Sequence, residues 1–151
     1  MSKCLSCYKP LDKNEIDFHP ICAKKFFGTA QPPLVDFDLK QLEELAQQII
    51  VQRKVVTGVQ AKLSLNLEKQ NKDVSRLTIV GLHGDYILKP PSADYEELPE
   101  NEDLTMRLAG IVKIKTAEHS LIRLKSGELA YLTKRFDRNK GMKIAVEDFC
   151  Q

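Results

Sequence analysis

The sequence predicts an α+β fold in which helices pack against an antiparallel sheet, preceded by a short Cys/His segment. Leu63, Leu65 and Leu67 alternate with polar residues, which is the period of a half-buried strand. Residues 39–49 instead repeat apolar side chains every three to four positions, as an amphipathic helix does. Residues 1–30 carry three of the four cysteines. We therefore expect a zinc-knuckle-like segment over 1–30 and a larger domain over 31–151.

The composition is that of a water-soluble globular domain. The chain has 151 residues, of which 42% are hydrophobic and 29% charged, enough for one domain with a small appendage. A net charge of +2 gives no reason to expect direct nucleic-acid binding. No apolar run is long enough to span a bilayer, and the N-terminus lacks the apolar region of a secretory signal. We expect a cytoplasmic protein without a membrane partner, where paired cysteines are more often metal ligands than disulfides.

Cys4-x-x-Cys7 and His19-x-x-Cys22 have the spacing of two half-sites for one metal ion. Three thiolates and one imidazole can surround a tetrahedral zinc ion, and a short segment with little core of its own would gain folding free energy from it. Because the protein would fill all four positions, a structural ion is favoured over a catalytic one. The alternative is three reduced cysteines beside a surface histidine.

Two further residues with metal-binding side chains lie outside this pattern. Cys150 is remote in sequence from the other cysteines, and we leave it out of the site. His119 lies in a strand-like run, so we expect a structural role rather than a ligand role for it.

The larger domain is expected to begin with a helix after the proline-marked linker 29–37. Asp36 or Asp38 can cap the helix, which should end near Arg53 or Lys54. Its apolar face is formed by residues at helical spacing: Leu39, Leu42, Leu45, Ala46 and Ile49.

Strands are expected to follow over 63–67, 77–81 and 86–89, the last ending at Pro90 and Pro91, which cannot donate to a ladder. We interpret His83-Gly84-Asp85 as a turn. A helix should run from about Glu100 to Lys113, with its apolar residues inward: Leu104, Leu108 and either Ile111 or Val112. Strands over 118–124 and 129–136 should flank a turn at Gly127, and a short strand should start at Met142.

Two features could hold an anion and a third could orient one of them, and each has a plain structural alternative. Gly58 lets backbone amides approach an anion, with Lys62 adding charge, but taken alone the residue is better explained as a glycine bulge in a strand. Lys89 ends an apolar strand, so it would either bind a phosphate or reach to solvent. Carboxylates follow on the next helix, at Glu100, Glu102 and Asp103. One of them could aim Lys89, or all could be favourable charges at a helix N-terminus.

Taken in order, the motifs TGVQAKLSL, YILKPP, LPENEDLTMRLAGI, LAYLTKRFDR and VEDFCQ resemble the HipA-like serine/threonine kinases of bacterial toxin–antitoxin systems. The resemblance runs from about residue 54 to the end. It implies a kinase-like small lobe, the N-terminal lobe of such a kinase, that binds ATP with Mg²⁺ once a second lobe completes it. It implies a glycine-rich loop over the phosphates, an α/β-phosphate contact from Lys89, and a hinge whose backbone bonds adenine. The loop comprises Thr57, Gly58, Val59, Gln60, Ala61 and Lys62, and the hinge comprises Lys134, Arg135 and Phe136.

The chain also departs from this family. Some members autophosphorylate a serine before the loop glycine, and of the positions Val55 and Thr57 only Thr57 has a hydroxyl. The family's catalytic aspartate, its asparagine and its magnesium-binding aspartate belong to a C-terminal lobe, for which we find no segment here. We therefore expect a chain truncated before the catalytic lobe, with no catalytic residue of its own and inactive alone. Residues 1–30 occupy the position in the chain at which the longest family members have a larger β-rich subdomain.

Two further functional classes stay open. The chain could be a non-catalytic binding or regulatory module derived from such a kinase, or a small zinc-binding adaptor acting through residues 1–30. For a completed kinase, the resemblance implies a protein substrate, an antitoxin partner and a separate protein supplying the N-terminal subdomain. Whether the chain is an enzyme depends on the second lobe.

Overall fold

The computed structural model describes residues 2–53, 62–69, 74–80, 84–139 and 142–144. The N-terminal region forms α1 (Pro20–Phe27) and α2 (Leu39–Arg53). The central region forms β1 (Leu63–Lys69), β2 (Ser75–Val80), β3 (Tyr86–Lys89) and α3 (Leu98–Ile111). The last described elements are β4 (His119–Arg123), β5 (Leu129–Lys134), β6 (Arg138–Asn139) and β7 (Met142–Lys143). The predicted loop residues 57–61 and Cys150 lie outside the described residues.

The main sheet has five antiparallel strands in the order β2-β1-β3-β5-β4. A separate two-stranded ribbon joins β6 to β7. With three helices around this sheet, the predicted α+β class is confirmed. The division into 1–30 and 31–151 stays a prediction, because both parts contribute to one continuous cluster of buried side chains.

Local sequence signals explain where several elements begin and turn. Asp38 Oδ1 accepts a hydrogen bond from Gln41 N–H at 2.9 Å, and the Gln41 side chain accepts one from Asp38 N–H at 3.0 Å. This reciprocal pair is a capping box, so Asp38 is the predicted residue that caps α2. Gly127 has φ 107° in the turn between β4 and β5, a conformation that favours glycine. The hairpin predicted there is confirmed.

One face of the sheet packs against the N-terminal segment. Tyr86 and Leu88 of β3 are 4% and 0% exposed. The Tyr86 ring lies 5.9 Å from that of Phe26 and 6.3 Å from that of Phe27, and its hydroxyl donates to Phe26 O at 3.3 Å. Alternation along β3 places Ile87 and Lys89 on the opposite face, which carries α3. One face of β3 therefore belongs to the hydrophobic core, and the other carries Lys89.

The predicted inward face of α3 is wrong. Leu104, Leu108 and Ile111 are 50%, 54% and 75% exposed, and Val112, just after the helix, is 67% exposed. The buried positions of the helix are Pro99 and Asp103. A carboxylate can face the interior here because three side chains hydrogen-bond to it, one from α3 itself and two from other elements. Apolar periodicity carries no signal of such partners.

Within the described part of the chain, no helix has both the length and the apolar character needed to cross a membrane.

Candidate functional site

Lys89 and Glu102 form the central contact of the candidate site. Lys89 is the last residue of β3, and Glu102 lies one turn into α3. The Lys89 ammonium donates a short hydrogen bond to Glu102 Oε1. The two side chains are 29% and 19% exposed, and Lys89 Nζ also lies 5.6 Å from the centroid of the Tyr131 ring. The lysine is therefore half-buried and held in one direction by a carboxylate and an aromatic face.

The structure selects Glu102 among the three predicted carboxylates. Glu100 lies in the first turn of α3, where a negative charge suits the helix N-terminus. Asp103 is fully buried. Its carboxylate accepts hydrogen bonds from the Tyr8 hydroxyl, from Arg107 Nε at 2.6 Å and from His119 Nδ1 at 2.8 Å.

This Asp103 cluster was not predicted from the sequence. Asp103 and Arg107 are four apart on α3, which is a signal for a helical ion pair. Tyr8 comes from 95 residues away, a distance at which sequence spacing gives no guidance. His119 was predicted to be structural, and it does lie in this cluster, stacked at 5.8 Å on the Tyr131 ring.

The Asp103 cluster holds a charged carboxylate inside the protein. Burial alone would raise the pKa of Asp103, but the hydrogen bonds from His119, Arg107 and Tyr8 outweigh it, and the pKa lies below its usual value. Burial, followed by the contact with Asp103, raises the pKa of Tyr8 to about 12. Asp103 is therefore an acceptor near neutral pH, and Tyr8 is a donor.

The register of the sheet places the predicted phosphate and adenine segments at opposite ends of β3. Leu63 pairs with Leu88, so Lys62, the preceding residue, is at the Lys89 end. Lys134 pairs with Tyr86, so the predicted hinge begins at the other end. Lys62 is exposed. Three strand steps, about 10 Å, separate the two ends.

Most polar groups of the predicted hinge already have partners in the protein. Lys134 N–H donates to Glu118 O at 2.8 Å, and Arg135 N–H donates to Asp85 O at 2.9 Å. The Arg135 guanidinium pairs with Asp137 at 2.6 Å. Phe136 is 70% exposed, and its backbone N–H has no acceptor within the described residues.

The four predicted metal ligands come together in the fold. The ligand atoms of Cys4, Cys7, His19 and Cys22 all lie within 4.8 Å of one another. Cys7 Sγ is 3.4 Å and Cys22 Sγ is 3.9 Å from His19 Nδ1. Cys4 and Cys7 flank a tight turn closed by Tyr8 N–H, which donates to Cys4 O at 2.8 Å, and His19 and Cys22 bracket the start of α1.

The thiols of this cluster differ in acidity. Burial raises the pKa of Cys4, but hydrogen bonds from the backbone of His19, Ser6 and Cys7 outweigh it and lower that pKa to about 7. Burial, followed by the neighbouring Cys7 and Cys4 sulfurs, raises the pKa of Cys22 to about 12. Cys4 therefore ionises at a lower pH than Cys22.

Comparison with known proteins agrees with the resemblance in the sequence. The family model for the HipA-like C-terminal domain matches residues 55–151. A Haemophilus influenzae protein named "Putative kinase" is 30% identical over 154 residues, covering 95% of this chain and 42% of the relative. A Sinorhizobium fredii protein named "Putative kinase Y4dM" is 36% identical over 109 residues, covering 64% of this chain and 26% of the relative.

The chain thus spans less than half the length of these curated relatives. The family match begins just ahead of β1 and takes in the strand that carries Lys89, the helix that carries Glu102 and the predicted hinge. Since the match covers more than half of the chain, this protein belongs to the HipA-like kinase family.

Proposed function

We propose that the chain forms the ATP-binding lobe of a HipA-like protein serine/threonine kinase. The observation that carries this proposal is the contact between Lys89, on the third strand of the sheet, and Glu102, on the helix that follows. Protein kinases use a lysine on their third strand to hold ATP phosphates, and a helix carboxylate fixes the aim of that lysine. A half-buried lysine held in this way is ready to exchange part of its contact for a phosphate oxygen.

The register of β3 supports one direction for the nucleotide. The phosphates would lie at the Lys89 end, where Lys62 follows the predicted loop 57–61. The base would lie at the Tyr86 end, beside the predicted hinge. Because Lys134 and Arg135 use their N–H groups within the protein, the Phe136 N–H is the hinge donor available to adenine. The spacing along β3 suits a nucleotide extended along the strand.

Phosphoryl transfer needs more than this lobe. A kinase also positions the substrate hydroxyl and holds Mg²⁺ through carboxylate and amide side chains. We assign those groups to a second lobe, so this chain alone is expected to bind ATP weakly and to transfer nothing. By family resemblance we further propose a protein substrate, control by an antitoxin protein and a separate partner that supplies an N-terminal subdomain. We propose a cytoplasmic location on the same basis.

Titration with ATP and Mg²⁺ by calorimetry tests the binding proposal. Lys89→Ala should weaken ATP affinity at least about tenfold, because a hydrogen bond to a charged group contributes about 1.5–3 kcal/mol. Glu102→Gln should weaken it less, since the lysine would remain but lose its aim. Lys125→Ala is the matched control, because Lys125 is an exposed lysine in the β4–β5 turn, and its affinity should equal that of the wild type.

Thermal melting of each variant shows whether it is folded. If the wild-type chain bound no ATP at millimolar concentrations, or bound it as well after Lys89→Ala as before, the ATP-binding proposal would be wrong.

A second candidate function is a non-catalytic binding or regulatory module. It is favoured by the apolar side chains that α3 exposes to solvent at helical spacing: Leu104, Leu108 and Ile111. Such a stripe is typical of a helix that docks against another protein surface. An absence of nucleotide binding in the experiment above would favour this candidate over the kinase lobe.

A further inference from the structure

Two separations within the Cys/His cluster are close to those of a tetrahedral metal site. Zinc bond lengths of about 2.3 Å to sulfur and 2.0–2.1 Å to nitrogen give ligand-to-ligand separations of about 3.5–3.8 Å at tetrahedral angles. The separations from His19 Nδ1 are 3.4 Å to Cys7 Sγ and 3.9 Å to Cys22 Sγ. Side-chain packing alone gives no reason for three sulfurs and an imidazole to meet at this spacing.

His19 is oriented for coordination through Nδ1. Its other ring nitrogen, Nε2, lies 3.0 Å from Pro10 O, a carbonyl that can only accept a hydrogen bond. Nε2 therefore carries a proton, and Nδ1 is the ring nitrogen that faces the sulfurs and would bind a metal ion. A backbone carbonyl that holds the far nitrogen of a histidine in this way is the usual outer support of a metal ligand.

The turn from Cys4 to Tyr8 is hydrogen-bonded to α3, the helix that carries Glu102. The Tyr8 hydroxyl donates to Asp103, the residue after Glu102. Leu5 O accepts hydrogen bonds from Arg107 Nη2 of α3 at 3.4 Å and from Ser120 Oγ of β4 at 3.2 Å. Leu5 and Tyr8 are the immediate neighbours of Cys4 and Cys7, so whatever fixes the two cysteines also fixes these contacts.

We propose that Cys4, Cys7, His19 and Cys22 bind one structural zinc ion, and that this ion braces α3 through the Leu5 and Tyr8 contacts. Binding would release the thiol protons to solvent, leaving three thiolates and a neutral imidazole around Zn²⁺. Four protein ligands complete the tetrahedron, so the ion would have no open position for substrate. In this role the ion acts on the candidate nucleotide site only through the position of α3.

Metal analysis of the chain, purified without chelators, tests the first half of the proposal. We expect about one equivalent of zinc, and far less after Cys22→Ser. His19→Cys should retain zinc, because four thiolates also form a structural site, whereas His19→Ala should lose it. Cys150→Ser is the matched control for cysteine replacement and should keep the full equivalent. Substitution by Co²⁺ should give the absorption bands of tetrahedral thiolate coordination.

Several results would overturn the metal site. They are less than about half an equivalent of zinc in the wild type after reconstitution, iron in its place, or a disulfide among these cysteines under reducing conditions. Because the wild type alone decides these outcomes, the proposal stays falsifiable even if Cys22→Ser fails to fold.

Hydrogen exchange of the zinc-loaded and chelated chain tests the bracing of α3. Removal of zinc should speed amide exchange in α3 and β4 at least about tenfold, with little change in β2, at the opposite edge of the sheet. Tyr8→Phe should keep zinc but speed exchange in α3, because only the contact with Asp103 is lost. Unchanged exchange in α3, or equal acceleration in β2, would overturn the bracing.

These measurements need no nucleotide. Their outcome is therefore independent of whether the chain binds ATP.

Discussion

Asp103 shows how one buried residue organises the surface around the candidate site. Its carboxylate is fully buried yet bonded to Tyr8, Arg107 and His119. Such a group stabilises a fold only while its partners are in place, because an unpaired buried charge is costly. Since Glu102 is the preceding residue, the same bonds that satisfy Asp103 also set the start of α3 relative to Lys89.

Asp103→Asn should lower the free energy of unfolding by about 3 kcal/mol at neutral pH, because it removes one partner of a buried ionic cluster. The pKa of Asp103 is lower in the folded chain than its usual value. Its contribution is therefore present above about pH 4 and lost as the pH falls further, through the folded pKa. Urea unfolding between pH 7 and pH 3 should show the gap between wild type and variant closing below about pH 4.

Asp36→Asn is the control, since Asp36 forms an exposed pair with Arg76 at 2.8 Å. It should change the unfolding free energy by less than about 1 kcal/mol at any pH. A gap for Asp103→Asn that stays constant down to pH 3 would argue against an ionised Asp103.

Gly84 is required by close approach of two backbones. A Cβ atom on Gly84 would lie 2.5 Å from Leu65 O and 2.6 Å from Leu65 N, both on the adjacent strand β1. Gly84→Ala should therefore displace β1 from β3 and cost about 1–3 kcal/mol. Gly110→Ala is the matched control, because nothing lies within 4 Å of its Cβ position and alanine favours the helix. Chemical denaturation should show a loss for the first variant and none for the second.

At the scale of elements, the strands and their order of appearance could be predicted because their signals are local. Alternating leucines give β1, Pro90 and Pro91 end β3, and Gly127 marks the hairpin between β4 and β5. The orientation of α3 could not be predicted in this way. Its buried positions are Pro99 and Asp103. Burial of Asp103 depends on hydrogen bonds from Tyr8 and from His119 of β4, which sequence periodicity does not detect.

The corrected orientation of α3 predicts unequal costs for two leucine replacements. Leu108→Gln should change the unfolding free energy by less than about 0.5 kcal/mol, because Leu108 is 54% exposed. Leu88→Ala is the contrasting variant, since Leu88 is fully buried in β3, and it should cost about 2–5 kcal/mol. Comparable losses for the two variants in urea unfolding would mean that Leu108 packs inward, as its helical spacing first suggested.

At the scale of the whole molecule, the sheet brings residues that are far apart in sequence to the two ends of one strand. Lys62 and Lys89 lie at one end of β3, and the predicted hinge begins with Lys134 at the other. The candidate site residues were found from the sequence because their order matched a family. Their partners could be identified only from the structure. The main example is Lys89, which pairs with Glu102 rather than with Asp103. The four predicted metal ligands were identified from their spacing in the sequence, and the fold brings all four together.

The central claim is that this arrangement holds ATP along β3. NMR titration of the isotope-labelled chain with ATP and Mg²⁺ tests this claim most directly. Changes in amide chemical shift detect weak binding and show which residues are affected. We predict shifts that saturate at Lys62 and Lys89, at one end of β3, and at Phe136, at the other, and that are lost at the phosphate end in Lys89→Ala. Shifts confined to other surfaces, or none at saturating ATP, would contradict the claim.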